Sequence, residues 1–214
     1  PEELYARTGI QKQPFNTIYQ LAALKKEHPE QLEQAARLLM VPDYFHYLLS
    51  GAMKNEYTNA TTSQLVNIAS RDWDWELLDL IGVPRRLFEP VSAPGTPAGR
   101  LRPELRAQVG FDCEVVLPAT HDTASAVMSV PCPDGDAIYL SSGTWSLIGI
   151  ERTTPDCSEK SRGKNFTNEG GVGGSIRLLK NIMGLWIIQC VQKQLGISFA
   201  AVSYTHLRAH ETEA

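Results

Sequence analysis

Apolar residues recur at helical spacing along the first third of the chain, and Pro and Gly residues divide this region into segments. The spacing predicts a helix over residues 17–28, with Asn16 as its N-terminal cap. Proline favours the first turn of a helix and glycine the position after the last turn, which predicts two more helices, over residues 29–40 and 42–49. The first third is therefore predicted to be mainly helical.

The middle of the chain alternates short polar stretches with short apolar ones. Residues 56–65, EYTNATTSQL, are rich in Thr, Ser and Asn and indicate a loop or a short strand. Residues 73–83 are predicted to be helical, and the Pro- and Gly-rich run 91–103 to be a surface connection with room for one short strand. The apolar, β-branched run 113–117 predicts a buried strand that Pro118 ends.

The last part of the chain has the pattern of a β-hairpin. Two apolar strands joined by a tight turn at Ser142-Gly143 are predicted within residues 130–151, and this hairpin marks a domain start. A Gly-rich loop at residues 169–175 and an apolar helix over residues 182–195 follow. The mixture of helices and strands predicts an α/β architecture.

Composition and charge limit the kinds of partner that the chain is expected to bind. The chain has 214 residues, of which 43% are hydrophobic and 21% charged, as in globular proteins with one large or two small domains. The net charge of −4 provides no basic surface for nucleic acid or an anionic membrane, and no apolar run reaches the roughly 20 residues that cross a bilayer. The four cysteines are too far apart for a CxxC site. We therefore expect a soluble, cytoplasmic protein whose partners are small molecules or proteins.

The segment LPATHDTASAV, residues 117–127, places a histidine and an aspartate between a predicted strand and a predicted helix. Open α/β folds bind ligands outside the carboxyl ends of their strands. Asp122 lies near the predicted helix N-terminus, where the helix dipole favours its ionised form, so it can accept a hydrogen bond and then a proton from a substrate hydroxyl. Aspartate is also a common helix cap, and the pattern alone favours that structural role. His121 adds a hydrogen-bond donor.

A second candidate is SSGTWS, residues 141–146, in the predicted hairpin turn. Backbone N–H groups of such a turn, with the Thr144 hydroxyl, can bind phosphate oxygens, although a plain hairpin turn explains the pattern better. The Gly-rich loop fits neither common phosphate-loop pattern. Asn181 is well placed to cap the apolar helix that follows it. His206 and His210 have metal-ligand spacing on a helix, but residues 203–214 match no neighbouring element and are interpreted as a non-native tail.

Four segments of the chain, TNATTSQL, LPATHDTASAV, YLSSGTWSLIGIE and KNIMGLWIIQ, resemble in order and spacing the FGGY carbohydrate kinases, and among them the members that phosphorylate L-rhamnulose. The resemblance covers residues 1–202. It implies an α/β fold of the actin-like (ribonuclease H-like) ATPase type, in which two domains close over a cleft. The sugar is bound mainly by the first domain and ATP by the second. Residues 1–130 would form the C-terminal part of the first domain, and residues 134–202 the N-terminal part of the second.

The resemblance also implies roles for individual residues. Asp122 would be the catalytic base. Residues expected at the sugar are His121, Asp122, Thr123 and Asn181, and those expected at the nucleotide are Thr144 and Gln189. The implied reaction converts ATP and L-rhamnulose into ADP and L-rhamnulose 1-phosphate, with Mg²⁺ bridging the phosphates and no metal ligand assigned in this chain.

The resemblance is incomplete, and two alternative functions stay open at this point. The first phosphate loop, the metal ligand and the adenosine pocket of the family have no counterpart in the chain, so the chain alone is expected to be inactive. The substrate could be another ketose, such as fuculose or xylulose, because sugar choice depends partly on residues of the first domain that are absent. The protein could also be a non-catalytic actin-like sugar sensor. The oligomeric state is left open, and a monomer is compatible with the pattern.

Overall fold

The computed structural model describes residues 2–132, 137–143 and 145–197. The helices in these residues are α1 (Glu2–Thr8), α2 (Thr17–Glu27), α3 (Pro29–Gln34), α4 (Val41–Ser50), α5 (Tyr57–Thr62), α6 (Trp75–Leu80), α7 (Pro103–Val109), α8 (Asp122–Met128), α9 (Glu159–Gly163) and α10 (Leu185–Leu195). The strands are β1 (Asn55–Glu56), β2 (Val66–Asn67), β3 (Asp72–Trp73), β4 (Val91–Ser92), β5 (Pro97–Arg100), β6 (Glu114–Val116), β7 (Ile138–Ser142), β8 (Ser146–Arg152), β9 (Thr167–Gly170) and β10 (Ile176–Asn181). Within the described ranges, no helix combines the length and apolar character needed to span a membrane.

The largest sheet is antiparallel and has the strand order β7-β8-β10-β9. Ser142 pairs with Ser146 at the end of the β7–β8 hairpin, and Asn181 at the end of β10 pairs with Leu147. This register places the hairpin turn and the end of β10 at the same edge of the sheet. The earlier part of the chain has only two-stranded pairs, of which β1–β4 is parallel and β2–β3 and β5–β6 are antiparallel.

The main hydrophobic core lies in the helical part of the chain, before the large sheet. Its buried members are Ile18, Leu21, Leu32, Tyr57, Ala60, Leu65, Val66, Trp73, Leu78, Val83, Leu87 and Phe88. Trp73 packs edge-to-face on Phe88, with ring centroids 4.8 Å apart, and its indole N–H donates to the backbone carbonyl of Glu89 at 2.6 Å. The polar atom of the largest aromatic side chain in the core therefore has a hydrogen-bond partner.

The predicted helices of the first third are present, with two corrections. α2 confirms the first helix, but Asn16 does not cap it through its side chain. The Asn16 amide instead donates to the backbone carbonyl of Gln11 at 2.9 Å and to Oε1 of Gln64 at 3.1 Å, because it is buried between them. The second helix ends at Gln34 rather than at residue 40. The backbone becomes extended at Ala35. After this residue, the Leu38 N–H donates to the Leu87 carbonyl at 2.7 Å.

The prediction of a loop or short strand over residues 56–65 is wrong. Residues 57–62 form helix α5, although Thr and Asn are weak helix formers. The helix begins because the Glu56 carboxylate accepts hydrogen bonds from the backbone N–H groups of Thr58 and Asn59, which have no partner within the helix.

Two other predictions fail around the short strands. The run 91–103 contains two strands, β4 and β5, rather than one, and α7 starts with Pro103 in its first turn. The strand predicted over residues 113–117 is half exposed instead of buried. Val115 lies in a small core cluster, but Val116 is 43% exposed, because successive side chains of a strand point to opposite faces and the cluster covers the Val115 face.

The predicted hairpin is confirmed by β7 and β8, and the Gly-rich loop connects β9 to β10. The last helix begins at Leu185 rather than at residue 182, because Gly184 interrupts the backbone at a φ of 55°. Asn181 therefore does not cap that helix: it is the last residue of β10. Thr144 and residues 203–214, including His206 and His210, lie outside the described residues.

Asp43, in the first turn of α4, is fully buried, and this burial raises its pKa to about 6 although the N–H groups of Glu56 and Asn55 donate to it. The folded state then binds the proton more tightly than the unfolded chain, whose value is 3.8, so ionisation of Asp43 costs stability. The protonated side chain of Asp43 thus stabilises the folded state relative to the ionised one. This stabilisation should decline as the pH rises from about 4 through about 6.

Asp43→Asn removes the titrating group. Relative to the wild type, the variant should gain about 1–3 kcal/mol in free energy of unfolding between about pH 4 and pH 7. Urea unfolding of both proteins over this pH range measures the difference. A difference that does not change with pH would show that Asp43 has the same pKa in the folded and unfolded states.

Candidate functional site

A cleft of about 830 Å³ is lined by both the helical part of the chain and the large sheet. One wall consists of residues 10–13, 15–16, 62 and 121–123. The other consists of residues 141–143, 145, 147, 165, 167, 169, 180–181 and 183. Residues 121–123, the HDT segment, and the hairpin turn are separated in the sequence. Both line this one cleft.

Asp122 is the first residue of α8, and its side chain is 98% exposed. The N-cap position belongs to His121, although its side chain makes no capping hydrogen bond, so Asp122 lies one position beyond the cap. The Oδ1 atom of Asp122 accepts a hydrogen bond from the Thr123 backbone N–H at 2.7 Å and lies 3.4 Å from the Thr123 hydroxyl. These contacts orient one carboxylate oxygen and leave the other open to the cleft.

The turn that carries His121 and Asp122 is held by a buried carboxylate. Glu56 is fully buried, and its Oε2 accepts from the Thr120 backbone N–H at 3.0 Å and from the Thr120 hydroxyl at 2.7 Å. The same carboxylate accepts from the Thr58 N–H at 2.8 Å, the Thr58 hydroxyl at 2.6 Å and the Asn59 N–H at 3.2 Å. The Thr58 hydroxyl in turn accepts from the His121 N–H at 3.2 Å. Glu56 therefore connects the turn before α8, the HDT turn (residues 120–123), to the start of α5 through hydrogen bonds.

His121 is largely buried, with 21% of its side chain exposed. Burial lowers the pKa of its imidazole, and the Arg177 charge lowers it further, while Glu169 and Asp122 oppose this shift. The imidazole is therefore neutral at neutral pH. Its Nδ1 lies 3.3 Å from Nη2 of Arg177, and the same Nη2 donates to Glu169 at 3.0 Å.

The sheet side of the cleft carries the β7–β8 turn. The hydroxyls of Ser142 and Ser146 are 3.2 Å apart, and Gly143 N–H donates to the Trp145 carbonyl at 2.8 Å. The Gly143 N–H is thus used within the turn, and it does not support the predicted phosphate contacts. Trp145 packs edge-to-face on Phe15 from the opposite wall, with ring centroids 6.0 Å apart.

Asn181 lies beside this turn and lines the cleft. Its Oδ1 atom is buried and has no hydrogen-bond partner among the described residues. A buried unpaired acceptor is costly, which favours a ligand donor at this position. Gln189 is half-buried on α10 and does not line the cleft, so its nucleotide role stays a prediction. Among the described residues no group of three His, Cys, Asp or Glu side chains is arranged to hold a metal ion.

Comparisons with known proteins identify the family of the chain. The model of the FGGY family of carbohydrate kinases, N-terminal domain, matches residues 1–129. The rhamnulokinase of Halalkalibacterium halodurans is 55% identical over 192 residues, which are 90% of this chain and 41% of that protein. The rhamnulokinase of Oceanobacillus iheyensis is 49% identical over 211 residues, 99% of this chain and 45% of that protein. The chain therefore spans less than half the length of these curated relatives.

Solved structures share the fold. The ligand-bound xylulose kinase of Lactobacillus acidophilus has a TM-score of 0.78 at 21% identity, over 91% of this chain and 39% of that one. The xylulose kinase of Rhodospirillum rubrum has a TM-score of 0.79 at 19% identity, over 97% of this chain and 42% of that one. The predicted α/β, actin-like fold, present in part, is confirmed by these neighbours and by the matching family model. The chain belongs to the FGGY family of carbohydrate kinases.

Proposed function

We propose that the protein containing this chain transfers the γ-phosphoryl group of ATP to the 1-hydroxyl of L-rhamnulose. The observation that carries the proposal is the cleft, in which the exposed carboxylate of Asp122 faces the same space as the β7–β8 turn. The curated relatives at 55% and 49% identity are rhamnulokinases, which favours this ketose over others.

Asp122 is the proposed catalytic base. Phosphoryl transfer depends mainly on positioning and on charge stabilisation, with an aspartate that orients the attacking hydroxyl. The free carboxylate oxygen of Asp122 accepts the hydroxyl proton, while the sugar oxygen forms a bond to the γ-phosphorus and the bond from that phosphorus to ADP breaks. The Thr123 N–H holds the other oxygen of Asp122, so the base has a fixed orientation.

The proposed sugar contacts are His121, Thr123 and Asn181. All three line the cleft with Asp122. A ketose carries several hydroxyls, each of which both donates and accepts a hydrogen bond. The unpaired Oδ1 of Asn181 fits a hydroxyl donor, and the imidazole of His121 fits a hydroxyl acceptor.

The proposed nucleotide contacts are Thr144 and Gln189. Both are assigned by family resemblance, and the residues Ser141, Ser142 and Lys180 line the sheet wall of the cleft. Mg²⁺ would neutralise the phosphate oxygens when bound. Because the described residues form no metal-ligand cluster, no step is assigned to a metal held by them.

A chimera tests the proposal. The segment of the H. halodurans rhamnulokinase that matches this chain is replaced by the residues of this chain, and ATP-dependent phosphorylation of L-rhamnulose, L-fuculose and D-xylulose is measured against the unmodified enzyme. We expect turnover of L-rhamnulose at about 1–100 per second, as in kinases generally, and much lower kcat/KM for the other ketoses.

Each alternative has its own outcome in this assay. A preference for fuculose or xylulose would reassign the substrate within the family. A folded chimera that binds L-rhamnulose in calorimetry without phosphorylating it would support the non-catalytic sugar sensor. Circular dichroism matching that of the unmodified enzyme separates both results from misfolding.

A further inference from the structure

Arg177 connects the large sheet to the HDT turn. It lies on β10 and is fully buried. Its Nε donates to the Gly170 carbonyl at 3.1 Å, and its Nη2 donates to Oε2 of Glu169 at 3.0 Å. The same Nη2 lies 3.3 Å from Nδ1 of His121. These contacts fix the guanidinium, so Arg177 presents an N–H to the imidazole in one orientation.

The chemistry of this contact decides where the imidazole proton is. A guanidinium has only donors and stays charged, so it cannot accept a hydrogen bond from Nδ1–H. A neutral imidazole has one protonated and one unprotonated ring nitrogen. Nδ1 of His121 must therefore be the unprotonated nitrogen, and the proton is on Nε2.

The charged groups around His121 are consistent with a neutral ring. The Glu169 carboxylate lies 3.9 Å from Nε2 and the Asp122 carboxylate 3.9 Å from Nδ1, and both raise the pKa, as Glu56 does from farther away. Burial and the Arg177 charge lower it, and the net direction is down. Neutral His121 is thus the form that Arg177 contacts at neutral pH.

The Nε2 edge of the ring is left for a ligand. At 3.9 Å, the Glu169 carboxylate is beyond hydrogen-bond distance, and Nε2 has no other hydrogen-bond partner in the part of the chain that the structure describes. His121 and Glu169 both line the cleft. We propose that Arg177 is a positioning residue that fixes His121 as an Nε2–H donor to a hydroxyl oxygen of the bound ligand. The identity of that ligand as a ketose rests on the proposed function.

The tautomer can be measured directly on the full chain. The chain has five histidines, so selective ¹⁵N labelling of His yields few signals, and His121→Gln identifies that of His121. Two-bond ¹⁵N–¹H correlation spectra at pH 7.5 should show a protonated-type shift for Nε2 and an unprotonated-type shift for Nδ1. A proton on Nδ1, or an even mixture of tautomers, would overturn the proposal without any Arg177 variant having to fold.

Two variants separate a tautomer role from simple packing. Arg177→Gln keeps polarity but offers a carbonyl oxygen that can accept from Nδ1–H, so the His121 signals should move to a mixture of tautomers. Arg177→Met fills similar space without a donor and should give the same loss of selectivity. Arg106→Met, which removes an arginine outside the cleft, is the matched control and should leave the tautomer unchanged. Unchanged His121 signals in folded Arg177→Met would reduce Arg177 to a packing residue.

The ligand step has its own readout. Titration of the chain with L-rhamnulose should shift the His121 Nε2 resonance, and Arg177→Met should weaken the affinity by up to about tenfold, the value of one hydrogen bond. Shifts of the Asp122 and Thr123 amides without a change at Nε2 would overturn the donor assignment. If the sugar shifts no resonance, the ligand step is overturned, whereas the phosphorylation assay of the chimera still decides the proposed function and the tautomer measurement still decides the assignment of Arg177.

Discussion

Asp122→Asn in the chimeric enzyme is expected to lower kcat for L-rhamnulose by about 10²- to 10⁴-fold, the usual cost of removing a general base. Asparagine keeps the size of the side chain, and its amide oxygen can still accept from the Thr123 N–H that holds Oδ1 at 2.7 Å. It cannot take the proton of the sugar hydroxyl. Because the substitution changes the chemical step and leaves the sugar contacts of the cleft in place, KM should stay within a few-fold.

Initial-rate measurements for both substrates, with calorimetry of sugar binding in the absence of ATP, check this expectation. Asp79→Asn is the matched control: it makes the same chemical change at an exposed surface position, paired with Arg85 and outside the cleft, and should leave kcat unchanged. If Asp122→Asn keeps most of its kcat while the control behaves like the parent, the carboxylate only organises the start of α8.

Local sequence patterns predicted the two segments that meet in the cleft, but not all of the contacts that hold them. The strand-to-helix junction at Asp122 and the hairpin turn at Ser142-Gly143 follow from periodicity and turn residues, and the structure contains both. Their meeting across one cleft was expected only from family resemblance, because no local rule relates segments about 20 residues apart on different elements. The structure shows that both segments line the same cleft.

The predictions about caps failed for a tertiary reason. Asn16 and Asn181 have the residue type of a cap and stand before helical patterns, yet neither side chain caps a helix. Asn16 is drawn into a buried contact with Gln64, 48 positions along the chain. The strand pairing of Asn181 with Leu147 keeps it in β10 until Gly184 allows the chain to turn into α10. Pairing and burial over long sequence distances thus outweigh local preference.

The residues that the sequence missed are those whose partners are remote. Arg177 lies in an apolar strand beside a segment interpreted only as a Gly-rich loop, and its contact with His121 spans 56 positions. Glu56 is the first residue of the Thr- and Asn-rich stretch that is predicted to be a loop or strand, and it contacts Thr120 across 64 positions. A charged residue directly before a run of weak helix formers is the local signal that could have identified Glu56 as a cap.

Glu56→Gln is expected to destabilise the folded chain by about 3–5 kcal/mol, a large fraction of the stability of a typical domain. The five groups that contact the carboxylate, three backbone N–H groups and two hydroxyls, all donate to it. Glutamine has one acceptor oxygen, and its amide N–H groups would point at these donors. Since the site is fully buried, the donors that lose their partner cannot turn to water, and each costs about 1–3 kcal/mol.

Urea unfolding measures this loss, and Glu104→Gln is the matched control. Glu104 is 63% exposed and lies 4.0 Å from Arg102, so its substitution should change the free energy of unfolding by less than about 1 kcal/mol. Hydrogen exchange tests the position of the effect: the amides of Thr120 and His121, which donate to Glu56 and Thr58, should lose protection in Glu56→Gln beyond the global loss. If both variants unfold at the same urea concentration, the HDT turn is held by its own backbone, and Glu56 does not fasten it to α5.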